Sequence, residues 1–70
     1  MIKKEILATL VRDRLLLDKI YSKLNIRQET ISQSFKRSLQ RGKISGKSHN
    51  PEVLKIIKKH LNINDKQLLD

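Results

Sequence analysis

The apolar residues of this chain fall at helical spacings almost from end to end. Ile2, Ile6, Leu7, Leu10 and Val11 form one stripe, which predicts a first helix from Ile2 to Val11. Arg12-Asp13-Arg14 is a polar connection, and a cap for the next helix is available at Asp13 or nearer Asp18. Leu16, Leu17, Ile20, Tyr21 and Leu24 make the second stripe. Asn25 ends it, because Asn after Gly most readily takes the left-handed conformation that stops a helix. Ile26 turns inward, and Ile31, Phe35 and Leu39 then repeat at i, i+4 and i+8 in a third helix beginning at Arg27 and running to about residue 40.

Gly42, Gly46 and two Ser residues break the period, so the stretch from Gln40 to Asn50 reads as a loop. Asn50-Pro51-Glu52 restarts a helix. Asn caps, Pro occupies the first turn where its missing N–H is harmless, and Glu faces the positive end of the dipole. Val53, Leu54, Ile56, Ile57 and Leu61 give that helix a wide apolar face, while Lys55, Lys58 and Lys59 stay wet. Asn62 stops it. Asn64 caps a short last helix, with Gln67 completing a capping box and Leu68 and Leu69 closing the core. No strand-like alternation occurs. The expectation is a compact all-α domain of five helices, one domain spanning residues 1–70.

Composition narrows the function. Seventy residues form a marginal core, so most apolar positions are needed in it. There is no Cys, hence no disulfide framework and no Cys-based zinc site. Charges interrupt the amino-terminal apolar stretch, which does not read as a signal peptide, and no run approaches a membrane span. A cytoplasmic location is the expectation. The formal charge is +9, the footprint of a nucleic-acid binder or of a solvated basic surface. The excess is uneven: residues 1–26 carry +3, residues 27–49 carry +5 and residues 50–70 carry +1. It concentrates on the third helix and the loop after it.

Catalytic and cofactor chemistry finds little purchase. GKISGKS, Gly42 to Ser48, ends like a phosphate-binding loop, but three residues rather than four separate its glycines and a helix rather than a strand precedes it. Lys43 and Lys47 there read as phosphate-backbone contacts or as part of a solvated linker. His49 and His60 share no ligand spacing with each other or with a carboxylate pair, and His60 lies at the edge of an apolar face, where a structural role is expected. The acids are scattered. Neither an enzyme, a metal site, a cofactor nor a small-molecule substrate is expected. Tyr21 and Phe35, the only aromatics, both fall on apolar faces, which points to core packing and away from base stacking on single strands.

The segment from Leu16 to Leu39 is the part that carries function. It reads as helix, tight turn, helix, and its second helix is polar on one side: Arg27, Gln28, Glu29, Ser32, Gln33, Lys36 and Arg37. LNIRQETISQSF followed by PEVLKIIKKHLNINDKQLL resembles the Cro and repressor family of phage regulators, with the lambda-repressor-like helix-turn-helix fold. Leu24-Asn25-Ile26 occupies the family's Leu-Gly-Ile turn, and Gln28 to Ser32 the start of its recognition helix. The similarity runs from about Leu16 to Leu69. There are departures. Tyr21 stands where the family has a small residue and is expected to push the two helices apart or rotate them. Ser34 stands at a usual apolar position, with Phe35 beside it to do that work. Leu16 and Leu17 replace the usual Thr-Gln start, and the loop before the fourth helix is long.

The resemblance implies a small sequence-specific regulator whose third helix enters the major groove of double-stranded DNA. Gln28 is the first candidate base reader, since Gln pairs bidentately with adenine N6 and N7; Glu29, Ser32 and Gln33 follow. Arg27, Lys36, Arg37, Lys43 and Lys47 are expected on phosphates. A homodimer on a palindromic site is the natural arrangement. Other readings remain open. A winged helix would use Lys43-Ile44-Ser45 as the start of a wing. A protein-interaction module, such as an antirepressor or defence inhibitor, would expose an apolar patch and disperse the basic groups. An interfacial amphipathic peptide would use the Lys-rich fourth helix.

Overall fold

A computed structural model describes residues 1–44 and 46–70 of the chain. The protein is all-α, with helices α1 (Lys4–Leu10), α2 (Arg14–Leu24), α3 (Gln28–Arg41), α4 (Pro51–Leu61) and α5 (Asp65–Leu68). A short 3-10 turn, Gly46–His49, lies between α3 and α4. One apolar cluster joins them: Ile2, Leu7, Leu10, Leu16, Leu17, Ile20, Ile31, Phe35, Val53, Ile56, Ile57 and Leu68 are all buried. The extents are 27 × 24 × 19 Å.

The caps form where local chemistry dictates. Asp13 is the cap of α2, its carboxylate accepting the Leu16 N–H at 3.1 Å. Asn25 closes α2 at φ 56°, and Gly42 closes α3 at φ 66°. Asn50 accepts the Glu52 N–H at 2.8 Å, with Pro51 in the first turn. Asn62 ends α4 at φ 55°. Asn64 and Gln67 exchange both bonds of a capping box, at 2.9 and 3.0 Å.

Four expectations need correction. α1 begins at Lys4 rather than Ile2, because the residues before it find backbone partners at the other end of the chain. Ile2 forms an isolated antiparallel bridge with Leu69, and the Lys3 N–H donates to the Leu68 carbonyl at 2.9 Å. The second concerns Tyr21, which is not core: it is 49% exposed. Four residues beyond Leu17, it sits about 40° further round the helix axis, past the edge of the buried stripe. It therefore stands at the open side of the α2–α3 pair and is not wedged between the helices. Thirdly, the stretch after α3 is not simply an irregular loop. Its 3-10 turn buries Ser48 and packs against both α3 and α4. Fourthly, Lys58 is not free in water but only partly exposed and paired with Asp65 at 2.7 Å.

Ser34 is buried beside the fully buried Phe35, so the aromatic ring supplies the apolar bulk at this level of α3. The winged-helix reading finds no strand among the described residues, and Lys43 and Ile44 are exposed. Ser45, the last residue of that candidate wing and part of the GKISGKS stretch, lies outside the described residues.

Candidate nucleic-acid interface

α3 has a strongly one-sided surface. Ile31, Ser34, Phe35 and Ser38 face the core. Opposite them, Glu29, Gln33, Lys36, Arg37 and Gln40 are exposed. Positions 29, 33, 36 and 40 follow the i, i+4, i+7, i+11 spacing of one helical row, so their side chains stand in a line. Glu29 also lies in the first turn of α3, where the helix dipole favours a carboxylate.

The amino-terminal half of this surface borders an open hollow. Its other wall comes from the end of α1 and from α2. The lining is Val11, Arg14, Leu17 and Tyr21 on that side, and Arg27, Gln28, Glu29, Ser32, Gln33 and Lys36 on the α3 side. All four expected base readers therefore meet at one place, together with two of the five expected phosphate contacts, Arg27 and Lys36. Arg37, Lys43 and Lys47 are exposed but lie outside the hollow.

Two of the four readers have internal partners. The Gln28 side-chain amide donates to the Asp18 carboxylate on α2, and Gln28 is half-buried. The Ser32 hydroxyl donates to the Val11 carbonyl at 3.2 Å, filling an acceptor at the end of α1. Glu29 and Gln33 have no such tether among the described residues, which leaves their hydrogen-bonding groups presented outward. Gln33, in the middle of the exposed row, is thus better placed to meet a ligand than Gln28.

Sequence reasoning did not find Arg14 or Tyr21 as part of this surface. Arg14, Leu17 and Tyr21 share the i, i+3, i+7 spacing of one face, but that face adjoins α3 only in the folded chain. The hollow gathers three cations, Arg14, Arg27 and Lys36, against the single acid Glu29. Among the described residues, the ion pairs are Lys58–Asp65, His60–Asp13 and the Met1 amine with Asp70. Among the described residues, the cations of α3 and of the turn after it therefore form no ion pair. A second, smaller cleft between α2 and α4 is lined by Lys23, Leu24, Glu52, Lys55, Ile56 and Lys59, so basic surface is not confined to α3.

The histidines occupy structural positions. His60 Nε2 lies 2.9 Å from Asp13, tying α4 to the cap of α2, and its Nδ1 lies 3.0 Å from Lys19 Nζ. His49 is held in a separate polar network. Among the described residues, no three His, Cys, Asp or Glu side chains are grouped closely enough to hold a metal ion. Among the described residues, no helix is long and apolar enough to cross a membrane either.

The chain matches no family model, no curated protein and no solved structure.

Proposed function

We propose that this protein is a sequence-specific double-stranded DNA-binding transcriptional regulator of the Cro and repressor type, without enzymatic activity, acting in the cytoplasm as a homodimer on a palindromic site. The observation that carries this reading is the exposed row Glu29, Gln33 and Lys36 on α3, bordered by the cations Arg14 and Arg27. A polar helix face flanked by cations has the composition of a major-groove reader, with base edges met by amides and carboxylates and phosphates by guanidinium and ammonium groups. Gln33 is the principal base reader in this proposal. Gln28 keeps its side-chain carbonyl available, while Asp18 holds its amide group. Arg27, Lys36, Arg37, Lys43 and Lys47 contact phosphates, and Arg14 joins them from α2.

A second reading, a protein-interaction module, draws on Tyr21, whose half-exposed ring in the hollow offers an aromatic anchor to a protein partner. Affinity for a 30-base-pair duplex measured across salt separates the two. Six phosphate contacts imply a log–log slope of about −5.4 per protomer. The share of the affinity contributed by each protomer then falls about 1,800-fold between 50 and 200 mM salt. Absence of duplex binding at 50 mM salt contradicts the proposal and favours the interaction module.

A further inference from the structure

A buried chain of polar groups, none of them in the proposed DNA surface, ties together three parts of the sequence. The Ile2 N–H donates to His49 Nε2 at 2.9 Å. The other ring nitrogen, Nδ1, lies 2.9 Å from Ser48 Oγ, which lies 3.1 Å from Ser38 Oγ on α3. The Ser48 N–H donates to Ser34 Oγ at 2.9 Å. Ser38 and Ser48 are fully buried. The network therefore fastens the 3-10 turn to α3 on one side and to the bridge between Ile2 and Leu69 on the other.

The protonation state of the ring follows from one partner. A backbone N–H can only donate, so the nitrogen it meets must be bare. Nε2 is the acceptor, and Nδ1 carries the ring hydrogen and donates it to Ser48 Oγ. A second proton on Nε2 would set two donors against each other at the present 2.9 Å. The imidazolium and the Ile2 bond therefore exclude one another.

The surroundings do not favour the charged ring. α3 presents the hydroxyls of Ser34 and Ser38 to this turn, while its cations Lys36, Arg37 and Arg41 are exposed. On α4, Glu52 is exposed. From the amino-terminal segment comes the Met1 amine, whose partner Asp70 is 3.7 Å from it. Among the described residues no carboxylate forms an ion pair with the ring. Burial first, and the positive Met1 amine second, hold the His49 pKa below its ordinary 6.5.

We propose that His49 is an acid-operated latch: neutral, it joins the residue 2 backbone to the turn after α3, and protonated on Nε2, it releases the residue 2 backbone. The opening is local. It frees the Ile2 N–H from the turn, while the ring Nδ1–H still meets Ser48 Oγ, the Ser48 N–H still meets Ser34 Oγ and the Lys3 N–H still meets the Leu68 carbonyl. The stabilisation is complete above the ordinary His pKa and is lost as pH falls from 6.5 through the lower folded-state pKa. His60 is a separate case, since it faces the carboxylate of Asp13.

The test is an NMR titration of the whole protein from pH 7.5 to 4.5, following both histidine rings and the backbone amides. The latch requires the His49 ring to titrate below 6.5, with the amide signal of Ile2 moving at the same midpoint. A His49 ring that titrates while the Ile2 amide stays fixed overturns it. His49→Gln offers a second readout, because its carbonyl can accept from Ile2 and its amide can donate to Ser48 without titrating. Between pH 7 and 5 the melting temperature of the wild type should fall further than that of His49→Gln. An equal fall in both overturns the latch. Should the variant not fold, the wild-type titration decides alone. Neither measurement involves DNA, so the latch stands or falls independently of the proposed function.

Discussion

Gly42 and Gly46 lie four residues apart, and both have left-handed backbones, φ 66° and φ 58°. Replacing each by Ala separates backbone strain from crowding. An L-residue in this conformation costs about 1–2 kcal/mol. A Cβ on Gly42 meets no atom within 4 Å, so Gly42→Ala should cost about 1 kcal/mol and no more than about 2. A Cβ on Gly46 meets Ser34 Oγ at 2.9 Å, closer than real Cβ contacts come. The same hydroxyl accepts the Ser48 N–H at 2.9 Å. Moving it aside weakens a buried hydrogen bond contributing about 0.5–1.5 kcal/mol. Gly46→Ala should therefore cost about 1.5–3.5 kcal/mol in all. Reduced freedom of the unfolded chain affects both variants alike and cancels in the comparison. In a domain of this size each kcal/mol lowers the melting temperature by about 4–8 °C, so the two variants should melt well apart by circular dichroism at 222 nm. A third variant isolates the crowding. In a Ser34→Ala background the nearest atom is Ser34 Cβ at an ordinary 3.7 Å, and the excess cost of Gly46→Ala over Gly42→Ala should largely disappear. If Gly46→Ala is no costlier than Gly42→Ala, or if Ser34→Ala leaves the excess intact, the packing of the 3-10 turn against α3 is wrong.

Phe35→Ala removes a fully buried ring at a cost of about 3–5 kcal/mol, most of the stability of a 70-residue domain, and should leave the chain largely unfolded by circular dichroism. Tyr21→Ala, at a half-exposed position, should shift urea unfolding by under about 1 kcal/mol. Equal costs for the two aromatics would contradict their assigned places. Asp13→Ala loses the α2 cap, for about 0.5–2 kcal/mol, and the His60 contact with it. Asp13→Asn keeps an acceptor for the Leu16 N–H and should cost less in the same urea assay.

The parts of the fold legible in the sequence are those decided within a few residues. Asn25, the Asn50-Pro51 start and the Asn64–Gln67 box act on their own helix ends, and each is where its local chemistry puts it. The apolar stripe of α3 was legible for the same reason. What was not legible depends on distant partners. Tyr21 shares a spacing with buried residues, but only the position of α3 decides that its ring stays at the open edge. Ser34 stands at a usual apolar position and Ser38 and Ser48 carry no apolar signal, and only the folded turn gives each hydroxyl a partner. Ile2 reads as helical until Leu69 offers it a bridge. The candidate site divides along the same line. Its polar face on α3 follows from periodicity, whereas the tether of Gln28 to Asp18 and the arrival of Arg14 and Tyr21 follow from how α2 packs beside it.

The central claim is that the exposed row on α3 reads duplex DNA. Selection from random duplexes, run in parallel on the wild type and Gln33→Ala, tests it most directly. The wild type should enrich a palindromic sequence with half-sites about one helical turn apart. Gln33→Ala should keep the palindrome but lose preference at one base pair in each half-site, a change of about 1–3 kcal/mol at that position. No enrichment by the wild type, or an unchanged motif with every position weakened alike in Gln33→Ala, contradicts the account.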